Sequence, residues 1–248
     1  MIQEPFASGN SFLHKTDPRL RVFFAALFSC IVALLNQFPS LTVSFALSVI
    51  LAFTARLNFK MLIKRLAVIW GFLILLWAVL PLTLEGEVFY QLGPLKFTAQ
   101  GIILAAKISI KSNTILLAFI ALVSTMNFST LGYVLNYFKI PEKLVHLLLL
   151  TYRYIFVIEQ EYQRLVRSAK IRAFQPKTNL HTYKTYAYLA GMLFVKASAR
   201  ADRVYQAMKC RGFKGRFYCL QEFSFSGCDQ IWFVFMLFCL SIILFLEL

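Results

Sequence analysis

Charge is scarce in this chain. Only 15% of its 248 residues are Asp, Glu, Lys or Arg, while 59% are apolar and the mean hydropathy is +0.68. Soluble domains carry about 25% charged and roughly 45–50% apolar residues. A water-facing globular enzyme is therefore excluded, because too few charges would cover too much apolar chain. Disorder is excluded by the same apolar abundance. Acids are scarcer still, 11 against 26 Lys and Arg, and they include no intramembrane pair of the kind a proton relay uses. No phosphate-binding G-x-x-x-x-G-K-[ST] loop, G-x-S-x-G elbow or H-E-x-x-H pair occurs, so no chemistry by this chain alone is expected. The five cysteines (Cys30, Cys210, Cys219, Cys228, Cys239) form no C-x-x-C pair, and His14, His146 and His181 are far apart. That excludes a disulfide framework and leaves no metal-ligand set. No nucleic-acid motif accompanies the basic excess, so no nucleic-acid partner is expected.

What is present is apolar runs. Stretches at 22–38, 41–57, 66–84 and about 98–126 precede a long polar block, and 231–246 closes the chain. A hydrocarbon core of about 30 Å takes roughly 17–25 helical residues, so each run reads as a transmembrane helix. Residues 39–40 are read as the link of a tight hairpin between the first two spans. The first 21 residues lack the pattern of a cleaved signal peptide. Lys15, Arg19 and Arg21 precede span one, and Arg56, Lys60, Lys64 and Arg65 lie between spans two and three. The loop after span three carries Glu85, Glu87 and Lys96. Positive-inside counting places the N-terminus in the cytoplasm. Residues 139–217 then hold sixteen Lys or Arg against four acids, which suits a cytoplasmic segment after four crossings. The fold class is all-α, a polytopic membrane protein with about five spans and two long cytoplasmic helices. Its parts are a membrane bundle at 1–138, the helical block at 139–217, and a last transmembrane helix at 218–248, with the C-terminus outside. The apolar segment 144–158 is short and contains His146 and Arg153, and reads as a helix lying against the membrane or bundle.

Lys107 and Lys111 stand four residues apart within the fourth span, on one helical face. Either they contact a partner or a polar path, or they snorkel from a partly interfacial segment.

Two long helices are predicted in the basic block. From Pro141, Leu144, Leu148, Tyr152, Ile155, Ile158, Tyr162, Leu165 and Ala169 recur at spacings of three and four, a stripe on a helix of roughly 45 Å. In the second helix Tyr183, Ala187, Ala190, Phe194, Ala197, Ala201, Val204 and Met208 form a heptad-like seam, half of it alanine, on which a partner helix could pack closely. The helices finish alike: Lys170-Ile171-Arg172-Ala173-Phe174 and, 39 residues on, Lys209-Cys210-Arg211-Gly212-Phe213. A small residue after each arginine leaves its guanidinium free, and a cation at a helix C-terminus is favoured by the dipole. Two arginines so presented suit two equivalent acidic grooves on a symmetric partner pair. The plainer reading is a pair of basic helix ends beside anionic lipid headgroups.

With these ends, the opening Ser11-Phe12-Leu13-His14-Lys15-Thr16-Asp17-Pro18-Arg19-Leu20-Arg21 and the span order, the chain resembles the transmembrane (T) component of energy-coupling factor transporters. Glu4-Pro5-Phe6-Ala7-Ser8-Gly9-Asn10 is most similar to the cobalt/nickel branch, CbiQ-like. The resemblance implies a non-catalytic scaffold in a prokaryotic cell membrane. It would join two ATP-binding-cassette ATPases, which bind the ATP, to a small membrane subunit that captures a metal ion or a vitamin. No cofactor in this chain itself is expected. The two cytoplasmic helices would be coupling helices, each with an Ala-Arg-Gly-like end. Arg172, flanked by Ile171 and Ala173, and Arg211, flanked by Cys210 and Gly212, would dock the ATPases. Ile171 and Cys210 depart from the family's alanine, and Ala173 from its first glycine, where alanine disfavours the left-handed conformation glycine allows. A self-contained secondary transporter using Lys107 and Lys111 is the rival reading. A membrane enzyme would need clustered catalytic groups that the sequence does not hold.

Overall fold

The computed structural model describes residues 11, 13, 16–55, 57, 59–84, 88–92, 95–213 and 227–247. The expectations resting on the 4–10 stretch, His14, Lys15, Arg56, Glu85, Glu87 and Cys219 lie outside those residues. Among the described residues the order is α1 (Pro18–Leu34), α2 (Phe38–Thr54), α3 (Phe59–Thr83), β1 (Val88–Leu92), β2 (Leu95–Thr98), α4 (Ala99–Leu122), α5 (Phe128–Tyr137), α6 (Glu142–Ile171), α7 (Leu180–Cys210) and α8 (Gly227–Phe245). The architecture is all-helical apart from one antiparallel β1–β2 hairpin, which pairs Val88 with Thr98 and Leu92 with Leu95 in what the sequence suggests is a plain loop. The chain divides into two compact units. One holds residues 4–134 with 222–248, and the other 135–221 with 1–3.

In the first unit α1 starts where local chemistry puts it. The Asp17 carboxylate accepts the Arg19 backbone N–H at 2.8 Å, and Pro18 fills the first turn. A proline there gives up an N–H that has no helical partner anyway. Pro39 does the same in the first turn of α2. The turn between the first two helices is therefore 35–37, not 39–40, and the two helices run four and three residues earlier than the apolar runs suggest. Gln37 supplies no side-chain cap to α2. The cap comes from the other end of the chain. Glu247 accepts the backbone N–H groups of Asn36 (2.6 Å) and Gln37 (3.2 Å) and the Ser40 hydroxyl (2.6 Å). A carboxylate at a helix N-terminus also meets the positive end of the dipole.

The core joins α1, α2, α4 and α8 through Phe24, Phe28, Val32, Leu41, Leu51, Leu122, Met236 and Ile243. Phe24 stands edge-on to both Trp232 and Phe233, with ring centroids 5.3 Å apart in each case. On α2, Ser40, Ser44 and Ser48 are fully buried at four-residue intervals. Small side chains at that spacing let helix backbones approach closely, and α2 packs along α4. α3 is held by Leu62 and Leu66 against Leu117 and Ile120 of α4, with Val49 and Ala52 of α2 packed on the same cluster. Its indoles add polar rungs: Trp77 Nε1 donates to Ser109 Oγ at 2.9 Å and Trp70 Nε1 to Asn113 Oδ1 at 3.2 Å. Val68, Phe72, Ile74 and Leu75 stay exposed, as a lipid-facing helix requires. Near Pro81 the two backbones come so close that a Cβ on Gly101 would lie 2.6 Å from Pro81 Cα. By length and composition Lys60–Thr83 and Ala99–Leu122 suffice to cross a membrane. α1, α2 and α8, with 17, 17 and 19 residues, sit at the short end for a core of about 30 Å.

The second unit contains α6 and α7. Residues 144–158 form the first half of α6, continuous with its charged second half. The α7 seam is not a packed seam. Phe194 is 76% exposed and Tyr183 62%, and Val145 and Thr182 are the buried residues of α6 and α7. Two straight helices that cross can share only a short contact, so small residues along α7 remain uncovered despite their periodicity.

Two outcomes test this packing. Gly101→Ala is expected to lower stability by about 1–3 kcal/mol, the usual penalty of overpacking, read as a lower thermal midpoint in detergent. For Glu247, hydrogen bonding to Ser40 and to the Asn36 and Gln37 N–H groups holds its carboxyl below the usual range. Its contribution is then fully present above the unfolded-state value of about 4.3 and is lost as pH falls through the lower folded value. Wild type should exceed Glu247→Gln in thermal midpoint at neutral pH, and the two should converge in acid.

Candidate functional site

The matched helix ends are matched in three dimensions too. α6 closes at Arg172, after which Ala173 takes φ +62°. Its N–H donates to Lys170 O (3.0 Å), and Phe174 N–H to Ala169 O (3.1 Å). α7 closes at Arg211, after which Gly212 takes φ +76°. Its N–H donates to Lys209 O (2.9 Å), and Phe213 N–H to Met208 O (3.1 Å). Each is a Schellman cap, with six-to-one and five-to-two bonds satisfying the last carbonyls. Ala173 thus adopts the left-handed conformation that its Cβ disfavours by about 1–2 kcal/mol. The sequence-level doubt at this position resolves into strain, not a different geometry.

The phenylalanines anchor these ends inside their unit. The Phe174 ring meets Tyr186 edge-on at 5.8 Å and tilts over His181 at 6.3 Å. With Arg172, Ala169 and Gly191 it lines a groove of about 820 Å³. Phe213 lines a second cavity of about 590 Å³ with Leu147, Ile158, Val204 and Met208. Anchoring Phe and capping the last turn leave the two arginines on exposed, ordered ends; Ile171 is 87% exposed, and Ala173, Cys210 and Gly212 are exposed as well. Lys209 is steered aside over the Tyr205 ring, 4.8 Å from its centroid. What joins α6 to α7 at their crossing is Glu161. Its carboxylate accepts Lys196 Nζ at 2.5 Å and lies 3.6 Å from Arg164 Nη1. The Lys196 hydrogen bond holds its carboxyl below the ordinary range.

Lys107 and Lys111 belong to the other unit, on α4. Lys111 Nζ donates to Ala33 O at 3.0 Å, in the last turn of α1, and Lys107 Nζ stands 5.2 Å from the Phe38 ring centroid. Both lysines serve the α1–α2 corner. Among the described residues no group of three or more His, Cys, Asp or Glu could hold a metal ion.

Residues 9–219 match the CbiQ family, described as cobalt transport protein. The chain belongs to this family. It is 28% identical over 228 residues to the energy-coupling factor transporter transmembrane protein EcfT of Listeria innocua, which covers 87% of this chain and 85% of that one. To the protein of the same name in Brevibacillus brevis it is 27% identical over 85% of this chain and 83% of that one, and to that in Bacillus subtilis 26% over 87% and 85%. The resemblance to energy-coupling factor T components therefore holds, and the chain is a membrane protein.

Sequence reasoning missed the polar contacts that tie this architecture together. Glu161 is one acid in a basic block, and nothing in its spacing singles it out. Asp229 accepts the Asp17 N–H at 2.9 Å, and Arg21 Nη1 donates to Thr125 Oγ1 at 3.1 Å, all four residues being buried. Asp17-Pro18 is legible as a helix start, but a contact across 212 positions is not.

Ala173→Gly should raise stability by about 1 kcal/mol by relieving left-handed strain, and Gly212→Val should lower it; thermal unfolding of the two variants beside wild type reads both.

Proposed function

We propose that this chain is the transmembrane scaffold of an ATP-driven energy-coupling factor uptake transporter, and that Arg172 and Arg211 dock its two ATP-binding-cassette ATPases. The reading is carried by one observation: two helix ends of the same sequence pattern close in the same cap and present the same exposed arginine. Two equal cationic ends suit two equal acidic grooves, as a pair of like subunits offers, and a planar guanidinium pairs with a carboxylate in two parallel hydrogen bonds. A capped end is also stiff enough to transmit a displacement. ATP-driven closure of the ATPases would carry the ends with it, and the crossed helices would pass that motion toward the spans and a small membrane subunit that captures the solute. Catalysis belongs to the ATPases, which bind the ATP; this chain brings none of its own.

The N-terminus is cytoplasmic in this reading and the C-terminus outside. The positive-inside charge pattern supports it, and so does the agreement of helix ends. The start of α1 meets the start of α8, and the end of α8 meets the start of α2, as five crossings demand. The solute is a transition-metal ion, cobalt or nickel, a reading supported by the family's description. A vitamin is the second reading, since the names of the three relatives state no solute. The anchoring of Lys107 and Lys111 at the α1–α2 corner favours the scaffold over a self-contained secondary transporter.

Affinity purification from mildly solubilised native membranes should bring down an ATP-binding-cassette ATPase and a small membrane protein. Arg172→Glu with Arg211→Glu should abolish the ATPase band while membrane insertion is unchanged, and each single reversal should weaken it. Wild-type recovery of ATPase with the double variant would sink the docking role. The solute bound by the co-purified small protein, cobalt or nickel against a vitamin, decides between the two readings.

A further inference from the structure

Glu161 is positioned for more than a static bond. It is one of four acids in residues 139–217, and its side chain is only 14% exposed against 44% for Lys196 and 66% for Arg164. Three cations act on it. Lys196 and Arg164 do so by contact, and Arg200 does so through its field, and together they hold its carboxyl below the ordinary range. Lys196 and Arg200 are four residues apart on α7, so they occupy one face a single turn apart. Arg200 turns toward α6, since it lines the cavity between the helices together with Ile158, three residues before Glu161. The residues interleaved on that face are Ala197 and Ala201, and neither side chain is large enough to obstruct a helix moving along it.

We propose that Glu161 is a sliding pivot: its carboxylate exchanges Lys196 for Arg200, one turn further along α7, when the docked helix ends are displaced. This rests on the docking reading above. A largely covered carboxylate resists any motion that strands it without a cation. Two cations four residues apart, about 6 Å along the helix, give it a partner at both ends of such a step and an interruption between them. The crossing then has two preferred registers, not a continuum, the kind of one-turn ratchet by which packed elements switch. Arg164, on α6 itself, travels with Glu161 and keeps the carboxylate ionised in either register.

The test uses the intact complex with its ATPases, purified in mild detergent. In a background with Cys210 replaced by alanine, the family's residue there, and the other four cysteines by serine, Ile158→Cys, which faces α7 across the same cavity and leaves the pivot intact, is combined with Ala201→Cys or with Val204→Cys. Each pair is joined by a short bismaleimide, with and without a non-hydrolysable ATP analogue. Without nucleotide the 158–201 pair should cross-link in preference, and with the analogue the 158–204 product should rise several-fold as the first falls. On the native background, Arg200→Gln should keep the wild-type amount of ATPase but lower ATP hydrolysis several-fold, and Arg200→Lys should restore it. Cross-link yields indifferent to nucleotide, or wild-type hydrolysis by Arg200→Gln, with ATPase present, would overturn the pivot alone. A preparation without ATPase would overturn the docking reading and the pivot with it.

Discussion

The bundle is organised around a buried guanidinium. Arg21 is 3% exposed, bonded to Thr125 at the end of α4 and set in the field of Asp17 and Asp229, both buried with it. A charge removed from water must be paired where it lies, and stranding it typically costs about 3–5 kcal/mol. This demand brings together the first turn of α1, the exit of α4 and the first turn of α8. With those three ends joined, Phe24 reaches Trp232 and Phe233, and the apolar faces of α1 and α8 close over α2 and α4. The last helix is secured again at its far end, where Glu247 caps α2. Hydrophobic matching alone sets neither register nor direction between helices in lipid, where every face is apolar. Paired polar groups at both ends set both.

The membrane class, the five apolar helices and the paired basic ends were legible because each rests on local or periodic signals: run length, charge bias, and a five-residue pattern that recurs. The helix starts at Asp17-Pro18 and Pro39 obey capping rules, yet the apolar runs on either side of 39–40 put the link there, because hydropathy alone does not mark where a helix turns. The α7 seam failed in another way. Its periodicity is real, but period says which residues share a face, not how much of that face a partner covers. The clasps at Asp229 and Glu247 pair positions more than 200 residues apart, and no local rule reaches that far. The candidate site sits between these cases. Arg172 and Arg211 stood out from repetition, whereas the roles of Phe174 and Phe213 and the bond from Glu161 to Lys196 came only with the fold.

The units therefore differ in character. In the bundle, small residues and buried polar bonds hold helices along their lengths, as Ser44, Gly101 and the Trp77–Ser109 rung illustrate. In the other unit, two helices of 30 and 31 residues meet at a crossing and carry exposed Phe194, Tyr188 and Leu147. Among the described residues, Glu161 with its cations and the anchored Phe174 and Phe213 tie the two helices together.

The left-handed residue after each arginine gives the two helices unequal joints. Gly212 has no Cβ, and the backbone beyond α7 can rotate through conformations closed to other residues. Ala173 has few such alternatives, so the end of α6 holds its angle until it gives way altogether. Under the proposed docking, a symmetric pull would therefore meet a stiffer joint at the end of α6 than at the end of α7.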